Sequence, residues 1–123
     1  KANTNDTRES PSILICKNLI TEGAKLFIYD PKVAELDISN ELNSDVQKTI
    51  NHNGSWIKSN DPLDACLNAD AIIFLTPWDE FKSFPFNKIY KLMRKPAWIF
   101  DARNCIDIEL VREIGFNVWR IGS

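Results

Sequence analysis

The run Ala71-Ile72-Ile73-Phe74-Leu75 carries no polar side chain on either side of a pleat. A strand apolar on both faces belongs to a parallel sheet covered by other elements. An antiparallel strand with one wet face would alternate apolar with polar residues. Related runs lie at Lys25 to Tyr29 (Lys-Leu-Phe-Ile-Tyr), at Ala97-Trp98-Ile99-Phe100 and at Phe116 to Ile121, with Trp56-Ile57 as a minimal strand. Helical patterns separate them. Pro11 to Glu22 presents Ile13, Leu14, Ile15, Cys16, Leu19 and Ile20 as a broad apolar face. Asp61 caps and Pro62 opens a second helix with Leu63, Cys66 and Leu67 inward. Asn87 to Met93 forms a third, and Asp107 to Ile114 a fourth with Ile108, Leu110, Val111 and Ile114 inward. Gly23 and Gly115 supply helix stops, and Ser10-Pro11 reads as N-cap and first helical residue. Asp79-Glu80-Phe81 begins a short helical turn, and residues 32–50 hold short helical pieces in a connecting segment.

Parallel strands need crossover helices, so this alternation predicts an α/β fold: an open parallel sheet with helices on both faces. Right-handed crossovers bring every strand's carboxyl end to one edge, where ligands bind in such sheets. That edge collects Asp30-Pro31, Thr76-Pro77-Trp78 and Asp101-Ala102-Arg103, together with the N-terminus of the first helix if a strand precedes it. Lys1 to Glu9 holds one apolar side chain, Ala2, and does not read as a strand. The first central strand is therefore expected ahead of Lys1, and the chain is expected to be a fragment of a larger protein or one trimmed at its front edge.

At 123 residues the chain is read as a single domain, residues 1–123. A formal net charge of −2, without a run of basic residues, argues against nucleic acid as a partner. The apolar run 71–75 is too short to span a membrane, and no signal-peptide pattern is seen, so a cytoplasmic location is expected. Cys16, Cys66 and Cys105 are widely spaced and form no Cys-x-x-Cys pair, which suits a reducing compartment. Cys16 and Cys66 read as core thiols, and Cys105 is the one to test for reactivity. His52 has no second ligand at zinc spacing and reads as a loop residue, so no metal site is expected.

No catalytic constellation stands out. Ser10 and Ser12 lack a histidine partner, and Asp79, Glu80 and Asp101 have plain capping or solvated readings. The four glycines, at 23, 54, 115 and 122, sit at element ends and form no Gly-x-Gly-x-x-Gly. Asp30 follows the first helix entry by about 20 residues, where an acidic side chain can take a ribose hydroxyl; strand-end capping is the plainer role. Arg103 differs, because a guanidinium just past a buried strand suits bidentate recognition of phosphate or hydroxyls. Lys1 and Arg8 add two cations ahead of the first helix.

Six ordered segments carry a resemblance across essentially the whole chain: Asp6-Thr7-Arg8-Glu9-Ser10-Pro11-Ser12, Tyr29-Asp30-Pro31-Lys32-Val33, Ala69-Asp70-Ala71, Thr76-Pro77-Trp78-Asp79-Glu80-Phe81-Lys82, Phe100-Asp101-Ala102-Arg103-Asn104 and Gly115-Phe116. The chain resembles the C-terminal, Rossmann-like nucleotide-sugar-binding domain of the UDP-glucose/GDP-mannose dehydrogenases. Within the fourth segment, Thr76-Pro77-Trp78-Asp79-Glu80-Phe81 looks more like the UDP-glucose branch than its aminosugar or mannose relatives.

The resemblance implies the substrate-binding domain of an NAD-dependent enzyme that oxidises UDP-glucose to UDP-glucuronate in two steps. Such a domain is inactive alone, because the catalytic cysteine and the N-terminal NAD domain lie elsewhere. It implies that Lys1 and Arg103 contact the UDP-sugar and that Arg8 contacts a phosphate of NAD across the domain cleft. Ala102 stands where the family usually has glycine. Homo-oligomerisation of the full-length protein is expected on the same ground. Two other readings stay open: a domain of a dehydrogenase for another UDP- or GDP-sugar, and a stand-alone Rossmann-like interaction or regulatory domain.

Overall fold

The structure is a computed structural model, and it describes residues 11–30, 38, 54–76 and 79–120. Ser10, Pro77, Trp78, His52 and most of the 32–50 connection lie outside the described residues, as do Lys1 and Arg8. The chain divides into two compact units, Thr4–Asp61 and Pro62–Ser123.

In the unit Thr4–Asp61, helix α1 (Pro11–Thr21) leads to strand β1 (Lys25–Ile28), which pairs in parallel with β2 (Ser55–Lys58). Gly23, at φ 95°, ends the helix, and the amides of Gly23 and Ala24 return to the carbonyls of Ile20 and Leu19. Only glycine takes such a backbone angle without a steric penalty. Ile20 and Ile38 are buried, and Ile13, Cys16, Leu26, Ile28 and Trp56 pack against them. The buried face of α1 is narrower than the sequence pattern suggests, since Leu14 is 59% and Ile15 37% exposed. Gly54 permits close approach here: a Cβ on it would lie 2.2 Å from the Ile20 carbonyl oxygen.

In the second unit, β3 (Ala71–Phe74), β4 (Trp98–Asp101) and β5 (Asn117–Arg120) form a parallel sheet in that order. The register places Ala71, Trp98 and Asn117 side by side at one end, and Phe74, Asp101 and Arg120 at the carboxyl end. Helix α2 (Pro62–Cys66) precedes β3, a 3₁₀ turn (Asp79–Ser83) and α3 (Phe86–Leu92) follow it, and α4 (Ile108–Ile114) links β4 to β5. Asp107 caps α4 by accepting from the Leu110 amide at 3.3 Å, and Gly115 at φ 130° closes it.

Helix packing on one face of this sheet is aromatic. Phe74 of β3 meets Phe86 of α3 at 6.3 Å between ring centroids, and Phe81 at 5.1 Å. Phe116 meets Phe86 at 6.3 Å and Tyr90 at 5.0 Å. Ile89, Ile99 and Val111 are fully buried. Each such apolar side chain stabilises the fold by about 1.5–3 kcal/mol relative to leaving it in water. The other face carries Ile73, Trp98, Phe100 and Trp119; Ile73 and Trp119 are 40% and 50% exposed. The run 71–75 is therefore a parallel strand, as expected, but Ile73 is not buried. Leu67 and Leu110 are also exposed rather than inward, because short helices seat fewer side chains than their periodicity implies. Among the described residues, no helix is long and apolar enough to cross a membrane.

Candidate functional site

The carboxyl end of β4 turns on a carboxylate. Asp101 is the last residue of the strand and is fully buried. Its Oδ1 accepts from the amide of Arg103 at 3.1 Å, both oxygens accept from the amide of Cys105 at 3.0 Å, and Oδ2 accepts from the amide of Ile106 at 3.3 Å. Arg120, its neighbour on β5, donates to Oδ2 from Nε at 3.3 Å and from Nη2 at 3.1 Å. Burial alone would push this carboxyl upward. The amides of Cys105 and Arg103, the Arg120 guanidinium and the Ile106 amide together outweigh it and hold the carboxyl below its ordinary range.

Asp101 therefore caps the segment that follows it, as one of the two plain readings held. The other, a solvated carboxylate, is corrected by its complete burial. Buried charge is tolerable only when paired and hydrogen-bonded, which these donors achieve. Asp79 and Glu80 are exposed on the 3₁₀ turn.

The turn needs one left-handed residue, and that residue is Asn104, at φ 57°. Ala102 does not have a positive φ, so alanine in place of glycine leaves this backbone unstrained. The segment is also tied to the end of β3. Cys105 Sγ donates to the Thr76 carbonyl oxygen at 3.4 Å, and Arg103 Nη1 donates to the Leu75 carbonyl oxygen at 3.4 Å. The expected convergence of Thr76 with residues 101–103 at one sheet edge is thus present within this unit.

Arg103 is exposed at that edge. Its contact with Leu75 is long for a hydrogen bond, so the guanidinium can exchange it for an anion at little cost. Among the described residues no salt bridge of Arg103 is found. Lys82, exposed on the 3₁₀ turn, lies close enough to lower the Cys105 thiol electrostatically, as does Arg103.

Cys105 is a buried thiol. It is 3% exposed, and desolvation, followed by the Asp101 charge and hydrogen bond, pushes it up to about 11. Desolvation also pushes Cys16 up to about 11. All three cysteines are free. Among the described residues no group of three or more His, Cys, Asp or Glu side chains could hold a metal ion.

Gly54 and Gly115 are packed against the protein's own groups, whereas Gly23 faces open space. The space a Cβ would fill at Gly54 is taken by the backbone of Ile20 and Ala24, and at Gly115 by the Tyr90 ring. Asp30 is half-buried just past β1.

Arg120 escaped the sequence reading. It sits in a strand two residues after Val118, on the face that otherwise turns apolar groups inward, and a charged residue at such a position is a signal of a buried partner. Recognising Asp101 as that partner required the register of β4 and β5.

A parallel α/β unit with a hydrogen-bonded turn carrying an exposed arginine at its strand carboxyl edge has the general plan of nucleotide-binding α/β domains. A family model described as "UDP-glucose/GDP-mannose dehydrogenase family, UDP binding domain" matches residues 1–108. The chain is 40% identical over 128 residues to a UDP-glucose 6-dehydrogenase of Drosophila melanogaster, covering all of this chain and 26% of that protein. It is 41% identical over 134 residues to UDP-glucose 6-dehydrogenase 1 of Arabidopsis thaliana, and 42% identical over 128 residues to the Caenorhabditis elegans UDP-glucose 6-dehydrogenase. All of this chain is covered in both, with 28% and 25% of those proteins. The chain belongs to the UDP-glucose/GDP-mannose dehydrogenase family, as its UDP-binding domain, and spans about a quarter of the length of these relatives.

Proposed function

We propose that residues 1–123 serve as one nucleotide-sugar-binding domain of an NAD-dependent UDP-glucose 6-dehydrogenase, which oxidises UDP-glucose to UDP-glucuronate. The single observation that carries this reading is Arg103: an exposed guanidinium on a braced turn at the strand carboxyl edge, in a chain matched by a UDP-binding-domain family. Arg103 and Lys1 contact the UDP-sugar, and Arg8 contacts a phosphate of NAD. NAD, when bound, accepts the hydride. Its binding is assigned mainly to an N-terminal domain of the same protein, as the family resemblance implies. No catalytic side chain is assigned to this chain. It is expected to be inactive alone, to act in the cytoplasm, and to work within a homo-oligomer when full length.

Arg103→Ala in the intact protein tests the reading. A charge-assisted contact is worth about 1.5–3 kcal/mol, so the KM for UDP-glucose should rise roughly tenfold or more. The KM for NAD should stay near its starting value. An unchanged KM for UDP-glucose removes Arg103 from the site. Activity across UDP-glucose, UDP-N-acetylaminosugars and GDP-mannose identifies the preferred sugar.

A further inference from the structure

The segment carrying Arg103 is clamped from behind by a second arginine. Arg120 donates to Asp101 Oδ2, where the segment begins, and to the carbonyl oxygen of Ile106, where it ends. Arg103 stands between those two anchors. Asp101 in turn receives the amide of Arg103 itself at 3.1 Å. One guanidinium therefore fixes both ends of a six-residue turn, and the planar fork of arginine can do this where a lysine ammonium would hold one point at a time. The side chain of Arg120 is only 22% exposed, and that of Asp101 is fully buried, so the clamp faces inward while Arg103 faces out.

We propose that Arg120, acting through Asp101 and Ile106, is the positioning residue that presents Arg103 to the nucleotide sugar. The proposal rests on the reading of Arg103 given above. A recognition group held by a preorganised support binds without first being ordered, and slackening the support weakens binding even when the recognition group is intact. Arg120 makes no claim on the substrate itself. Its effect should pass entirely through Arg103.

The test is a double-mutant cycle in the intact protein, with KM and kcat for UDP-glucose, KM for NAD and the unfolding midpoint measured for each variant. Arg120→Met should raise the KM for UDP-glucose roughly tenfold, with the KM for NAD unchanged. Arg120→Lys, which keeps the charge and is the variant to use should Arg120→Met not fold, should raise it less. In an Arg103→Ala background the Arg120 substitution should add almost nothing, because the group it positions is gone. If the two effects multiply, or if Arg120→Lys lowers the unfolding midpoint while leaving KM unchanged, Arg120 is structural only and the proposal fails with the site intact. If Arg103→Ala itself leaves the KM for UDP-glucose unchanged, the site reading fails, and the positioning role falls with it.

Discussion

Both carboxylate oxygens of Asp101 accept from one backbone amide, that of Cys105, each at 3.0 Å. This places the carboxylate inside the turn it organises, with Arg103, Ile106 and Arg120 as its further donors.

Asp101→Ala leaves those amides without this acceptor and removes the carboxylate partner of Arg120, which keeps its bond to the Ile106 carbonyl. Breaking one partner of a buried pair costs about 3–5 kcal/mol. The variant's urea midpoint should fall accordingly, with the slope unchanged if the transition remains two-state. A loss under about 1 kcal/mol would show that water replaces the carboxylate freely.

The same group sets an acid dependence. The folded carboxyl titrates below its ordinary value of 3.8, so its ionised form stabilises the fold above about pH 4. That contribution disappears as pH falls through the lower, folded value. The stability difference between the parent and Asp101→Asn, measured in urea at a series of pH values, should therefore shrink below about pH 4. A difference that stays constant down to pH 2 contradicts this assignment.

Cys105 should resist alkylation. With its thiol pushed up to about 11, roughly one in three thousand is ionised at pH 7.5, and burial blocks even that fraction. Iodoacetamide followed by peptide mass spectrometry should leave Cys105 unmodified in the folded protein and label it in urea. Rapid labelling of the native protein would mean that the turn opens.

Gly54→Ala brings a Cβ to 2.2 Å from the Ile20 carbonyl oxygen and 2.8 Å from that of Ala24. Both obstacles are backbone, so relief requires α1 and β2 to move apart. Overpacking of this kind costs about 1–3 kcal/mol or more. Thermal unfolding should show a lowered midpoint. An unshifted midpoint would show that the unit Thr4–Asp61 relaxes without cost.

Much of the secondary structure was legible because its signals are local. Gly23 and Gly115 sit where the chain needs positive φ, and the strand runs lie within a residue or so of β1, β3 and β4. Arg103 was also legible, as a guanidinium just past an apolar run. The exposure of Leu14, Leu67 and Leu110 was not, because periodicity marks a face without saying how much of it a neighbour covers.

By itself, the order of apolar runs, caps and stops determined an α/β chain with parallel strands and an arginine at a strand's carboxyl edge, since each of those depends on residues close in sequence. Only the tertiary structure decided that Asp101 is a buried hub, that Cys105 is buried beside it and that Arg120 braces the turn. Those properties arise from desolvation and from register between strands 19 residues apart at Asp101 and Arg120, and neither is encoded in any short window of the chain.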